Sequence, residues 1–152
     1  MPFNALSRRA FTLLELMVVI AIITILVGFS APQFTRQIAK AKLVEVHTLA
    51  GKNQAVIEEF LLLNGKFPSA DEFSARAVTG GQDSVVASIE VENVSADTGD
   101  LKLTLNATTG IAADQYFAFS RASNALWSCR SSLPVELLPD HCSTIVAEEA
   151  AQ

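Results

Sequence analysis

One carboxylate interrupts the most apolar stretch of this chain. Between Phe11 and Ala31 the single charged side chain is Glu15. In a membrane-spanning helix a carboxylate costs about 2.5–3.5 kcal/mol at the bilayer centre and less toward the interface, so it needs an escape route or a partner. The escape route is for Glu15 to snorkel to the headgroups from its place near one end of the run. The partner would be a cation met in an assembled state. No Lys or Arg lies within the run. An α-amine freed at a new N-terminus is then the simplest candidate.

Few other residues suggest chemistry. Cys129 and Cys142 enclose a short segment holding Pro134 and Pro139 with little periodicity. Bridged, they would stabilise a loop near this size by about 3 kcal/mol and imply an oxidising compartment; unbridged, they are two buried thiols. His141 stands beside Cys142 without enough further ligands at metal-binding spacing. His47 falls on a helical stretch as a surface or sheet-facing residue. Asp97 and Asp100 flank a turn, where capping is favoured over calcium, which takes about six or more oxygens. No G-x-S-x-G, P-loop, H-E-x-x-H or C-x-x-C occurs. An enzyme, a cofactor and a bound metal are therefore not expected. Among the cations, Arg36, Lys40 and Lys42 follow directly on the apolar run, and Arg121 and Arg130 lie near the strands and the cysteine segment. That second pair are the candidates for a nucleic-acid or surface contact.

The elements that must position these residues follow from length and pattern. With 152 residues, half of them apolar and 18% charged, the chain suits one ordinary domain. A net charge of −5 (11 Lys and Arg against 16 Asp and Glu) speaks against a general nucleic-acid-binding surface. Residues 11–31 form a helix long enough to cover roughly 30 Å of hydrocarbon. A cleaved secretory signal would have a shorter apolar core, with its small residue after the core; here the small residue, Ala10, precedes it. Basic residues stand on both sides, so charge does not set the orientation.

Gly28 and Pro32 predict a bend, because Pro lacks the amide proton and crowds the preceding turn. Helical spacing then resumes: Val46, Leu49, Ala50, Val56, Ile57 and Phe60 mark one face, and Asn64-Gly65 with Pro68 supplies a stop. Residues 67–81 read as a loop with room for a short helical turn. Val85, Ala87, Ile89 and Val91 alternate with Val86, Ser88, Glu90 and Glu92, and Leu101, Leu103 and Leu105 alternate with Lys102, Thr104 and Asn106. Two further strands fall over 115–120 and 125–129, and the short connections predict an antiparallel meander.

The basic leader, the small residue, Phe11-Thr12-Leu13-Leu14-Glu15-Leu16 and the unbroken apolar helix together resemble the class-III signal of type IV prepilins. The segment Trp127-Ser128-Cys129 with Leu138-Pro139-Asp140-His141-Cys142 is similar to the end of type IVa major pilins. The resemblance covers about residues 1–65 and 125–142. It departs from the family at Ala10, where Gly is usual. It implies cleavage by a prepilin peptidase between Ala10 and Phe11, N-methylation of Phe11, and Glu15 as the assembly carboxylate meeting a neighbour's amine. It also implies a Cys129–Cys142 disulfide and a helix that can melt near Gly28 and Pro32 in the filament.

The expected fold is α+β: a long bent N-terminal helix, apolar in its first half and amphipathic in its second, packed on a roughly four-stranded antiparallel sheet with a C-terminal disulfide loop. Residues 1–10 would be the leader, 11–31 the membrane and filament-core helix, 32–64 its amphipathic continuation and 65–152 the globular head. The expected protein is a structural pilus subunit, held in the inner membrane with a periplasmic head before it joins a surface filament. Its partners would be other pilin subunits, the prepilin peptidase, the pilus assembly platform and, in use, DNA or a host or abiotic surface. The alternatives are a minor pilin or type II secretion pseudopilin and, from another class, a filament-displayed DNA- or surface-binding module.

Overall fold

A computed structural model describes residues 11–145, with the side chains of residues 29–32 left aside. The leader with Ala10 and the tail 146–152 lie outside the described residues. One helix dominates: α1 spans Leu13–Asn64. It ends as the Asn64-Gly65 pair predicts. Gly65 takes φ 69° and its amide donates to the Leu61 carbonyl at 2.8 Å, a termination that glycine makes without a Cβ penalty.

The chain divides into two compact units, residues 1–34 and 35–152. In the first, every described side chain from Phe11 to Gly28 is exposed. Among the described residues no single helix is long and apolar enough to cross a membrane; Leu13–Gly28 and Gln33–Asn64 meet that requirement only together. The bend expected at Gly28 and Pro32 adjoins 29–32, so at Pro32 it lies outside the described side chains.

The second unit holds the core. Ala39, Leu43, Val46, Leu49, Ala50, Asn53, Ile57 and Phe60 are all buried on α1, the three-and-four spacing of one helix face. The stripe expected from sequence therefore starts earlier, at Ala39. Val56 is only half-buried. Against this face lies a five-stranded sheet in the order β1 (Val86–Glu92), β2 (Gly99–Leu105), β3 (Tyr116–Arg121), β4 (Trp127–Ser131), β5 (Cys142–Thr144). Leu101, Leu103, Leu105, Phe117 and Phe119 supply its inner face.

Two sequence expectations are corrected. First, the sheet has a fifth strand, and β5 runs parallel to β4 while the other pairings are antiparallel. Three residues are too few to show a period. Second, the alternation expected along β1 breaks at a bulge between Val86 and Ser88. Val85 and Val86 are consequently both buried and Ala87 is exposed, since an extra residue in one strand flips the faces that follow. The loop after α1 holds the short helical turn for which the sequence left room, α2 (Ala70–Ser74), started by a capping box between Ser69 and Glu72. α2 seats Phe73 in the core.

Candidate functional site

The first turn of α1 fixes Glu15. Thr12 caps the helix: its Oγ1 accepts from the Glu15 amide at 3.2 Å, and its carbonyl accepts from the Leu16 amide at 3.3 Å. Glu15 is thus the third helical residue, where a carboxylate faces the positive end of the helix dipole. Thr12-x-x-Glu15 is the spacing of a capping box, a signal the sequence itself carries. Phe11, expected as the new N-terminus, is 79% exposed. Among the described residues Glu15 has no ion pair.

Beyond Glu15 the helix offers hydrocarbon on every side. Leu16, Met17, Ile20, Ile23 and Leu26 are all exposed. The Thr24 hydroxyl donates back to the Ile20 carbonyl at 2.7 Å, so its polarity is consumed within the helix. An exposed apolar surface of this extent marks a site of contact with lipid or with another protein surface.

In the head, polar side chains of α1 hold the segments that cover it. Asn53 is fully buried. Its Nδ2 donates to the carbonyls of Leu49 (2.9 Å) and Val78 (2.8 Å), and its Oδ1 accepts from the Val78 amide at 2.9 Å. Glu45 accepts from the Ser84 hydroxyl at 2.7 Å and from the Val85 amide at 3.3 Å. Glu58 accepts from Arg121 through Nε (2.7 Å) and Nη2 (3.0 Å), and from the Trp127 indole at 2.8 Å. Arg121 also donates to the Asp97 carbonyl at 2.6 Å. Its hydrogen bonds from Arg121 hold the Glu58 carboxyl below the usual range, against burial, which alone would raise it.

These contacts remove one nucleic-acid candidate. The Arg121 side chain is 9% exposed and engaged by Glu58, so it is a structural clamp. Arg130 donates to the Ser120 hydroxyl at 3.3 Å. Asp100 accepts from Asn93 at 2.7 Å across the β1–β2 turn, the structural role expected for it.

Cys129 and Cys142 form a disulfide, with Cα atoms 4.6 Å apart. They face each other in the parallel β4–β5 ladder. The intervening loop is better anchored than its sequence suggested, because Leu133 and Leu137 are buried in the core.

The loop also brings together two residues that the sequence kept apart. The His47 ring, on α1, stands edge-on to Phe117 and Phe119 with centroids 5.1 and 6.0 Å away. The His141 ring lies 5.5 Å from it. Burial first, then the His141 charge, pushes the His47 pKa down. Both histidines line a cavity of about 370 Å³ with Gln54, Trp127 and Cys129.

Comparison with known proteins agrees with this architecture. Residues 39–143 match the model of a family described as pilin (bacterial filament). Residues 6–31 match the prokaryotic N-terminal methylation motif. The chain is similar to a type IV major fimbrial protein FimA of Dichelobacter nodosus, 27% identical with 89% of this chain and 96% of the relative covered. It is similar to the fimbrial protein EcpC of Eikenella corrodens, 29% identical with 89% and 90% covered. It is also similar to the type IV major pilin protein PilE1 of Neisseria gonorrhoeae, 31% identical with 66% and 54% covered.

Proposed function

The chain belongs to the pilin family of bacterial filament subunits, and from that premise we propose that it is the major subunit of a type IV pilus used for surface attachment and twitching motility. The observation that carries the reading is a helix exposing apolar side chains on all faces from Phe11 to Gly28 around one carboxylate. Before assembly the inner membrane covers that helix, with the head in the periplasm. A prepilin peptidase removes residues 1–10 by cutting between Ala10 and Phe11 and methylates the Phe11 amine. The assembly platform then transfers the helix from lipid to a bundle of like helices, where close packing replaces lipid contact. Residues 11–31 act as filament core, 32–64 as the amphipathic continuation and 65–152 as the displayed head.

Glu15 sets register. In the bundle it lies among hydrocarbon, where leaving one member of a buried pair alone costs about 3–5 kcal/mol. A neighbour's α-amine removes that penalty at one axial offset. The relatives named major fimbrial proteins favour a major subunit over a minor pilin or a pseudopilin. The engagement of Arg121 by Glu58 weighs against DNA uptake through that residue.

Intact-mass measurement of sheared surface filaments tests the reading. The expected subunit lacks residues 1–10, carries one added methyl group and is short of the two hydrogens lost in the disulfide. A Glu15→Leu and Glu15→Gln pair separates register from helix capping. Gln keeps hydrogen-bonding capacity at the third helical position and loses the charge. Both variants are expected to insert in the membrane and to give few pili by electron microscopy. Filaments in normal number from Glu15→Gln, or a mature subunit that keeps its first ten residues, would overturn the proposal.

A further inference from the structure

We propose that His47 and His141 form a binding site for one divalent transition-metal cation of the Zn²⁺ or Cu²⁺ type, clamping the disulfide loop to the head portion of α1. The site starts from an anomaly. The Nε2 of His47 is buried and, among the described residues, has no hydrogen-bond partner. A buried imidazole nitrogen ordinarily has one, and its lack marks a site that something else satisfies. The atoms around it are metal donors: ligating atoms of His47, His141 and Cys142 all lie within 4.8 Å of one another.

The Cys142 sulfur is bonded to Cys129 and is not a thiolate, so the two imidazoles are the donors. Two nitrogens on one tetrahedral ion stand about 3.3 Å apart when each metal–nitrogen bond is about 2.0–2.1 Å. Closing the remaining gap requires a small rotation of His141. That residue is exposed, lies on the loop and lines the same cavity as His47. His47 itself is held by its edge-on contacts with Phe117 and Phe119, which presents the nitrogen in a fixed direction.

The cavity of about 370 Å³ leaves room for waters to complete the coordination, and Gln54, which also lines it, can add an amide oxygen. No carboxylate lines this cavity. Calcium and magnesium, which demand oxygen donors, are therefore excluded, while imidazole suits zinc, copper and nickel. The consequence is a second fastening between α1 and the loop, independent of the disulfide.

The test uses the full-length, untagged chain in detergent micelles, stripped with chelator and titrated with Zn²⁺ by calorimetry. The wild type is expected to take up one Zn²⁺ per chain. His141→Gln, on an exposed position, and His47→Phe, which keeps the ring packing, should each weaken binding by about tenfold or more. Zn²⁺ should raise the thermal midpoint of the wild-type head and leave that of His141→Gln unmoved. The absence of saturable one-to-one uptake by the wild type, or binding by His141→Gln within twofold of it, would overturn the site.

Discussion

Removing the Glu58 charge tests whether the head is held by a coupled clamp or by packing alone. Glu58→Gln retains an acceptor for the Trp127 indole and strips the counter-charge from Arg121. That guanidinium is 9% exposed, whereas Glu58 is 36% exposed. Leaving a buried charge unpaired costs about 3–5 kcal/mol, and an exposed pair is worth less than about 1. One buried and one half-open partner place the expected loss at about 2 kcal/mol, with the Asp97 carbonyl at 2.6 Å still serving the guanidinium. The double variant Glu58→Met with Arg121→Met should lose less than the sum of the single changes, because it removes both charges together. Urea unfolding of the full chain in micelles reads this directly. Trp127 is the only tryptophan, and its indole N–H donates to Glu58 at 2.8 Å, so its fluorescence reports on the clamp. A Glu58→Gln head within about 0.5 kcal/mol of wild type, or additive single changes, would refute the coupling.

The same carboxylate gives a pH dependence. Glu58 is depressed below its ordinary 4.5 in the folded head, so its contribution is present above that value and should fade as pH falls through the lowered range; Glu58→Gln should flatten that part of an acid-unfolding curve. Glu72, held at about 2 by its bonds to Ser69 and Lys66, should extend the loss of stability toward pH 2 by the same sign. Replacing Cys129 and Cys142 by Ser should cost about 3 kcal/mol in the urea midpoint and expose the 132–141 loop to protease. Gly99→Ala would set a methyl 2.6–2.9 Å from the Phe67 ring; a loss of about 1–3 kcal/mol is expected by thermal unfolding, and an unchanged midpoint would mean the ring yields freely.

How much of this was legible in the sequence depends on the length of each signal. The α1 stripe repeats over many turns and is legible from Val46 to Phe60, although the buried face begins at Ala39 and leaves Val56 half-buried. The buried face of α1 also passes through position 53, midway between Ala50 and Ile57, and a polar residue on a buried stripe demands fixed partners. Asn53 was nevertheless overlooked, since its partners at Val78 lie in a loop whose path no local pattern sets. Glu58 lies off the apolar stripe, and no local pattern marks its partner, which stands 63 residues away. The bulge at Ala87 and the parallel strand β5 are pairing events decided by the neighbouring strand. The disulfide pairing was implied by resemblance, whereas its place in a parallel ladder needed the three-dimensional arrangement. No local pattern links His47 to His141 for the same reason: their meeting is tertiary.

The two units of the chain treat polar groups in opposite ways. In the head, Glu45, Asn53 and Glu58 of α1 each reach across to a backbone or side-chain partner, so their desolvation is met within one molecule. In the segment from Phe11 to Gly28, Thr24 is satisfied locally, while the Glu15 carboxylate has only the helix dipole beside it. A dipole at the first turn is worth about 0.3–1 kcal/mol at an exposed site. It is well short of the several kcal/mol that full burial among hydrocarbon demands. These three head side chains are therefore satisfied within a single copy, and among the described residues Glu15 has no ion pair. In the proposed filament a neighbouring chain would supply the shortfall at Glu15, and that shortfall would grow as the helix passed from an interface into a packed bundle, so the pairing would tighten with assembly.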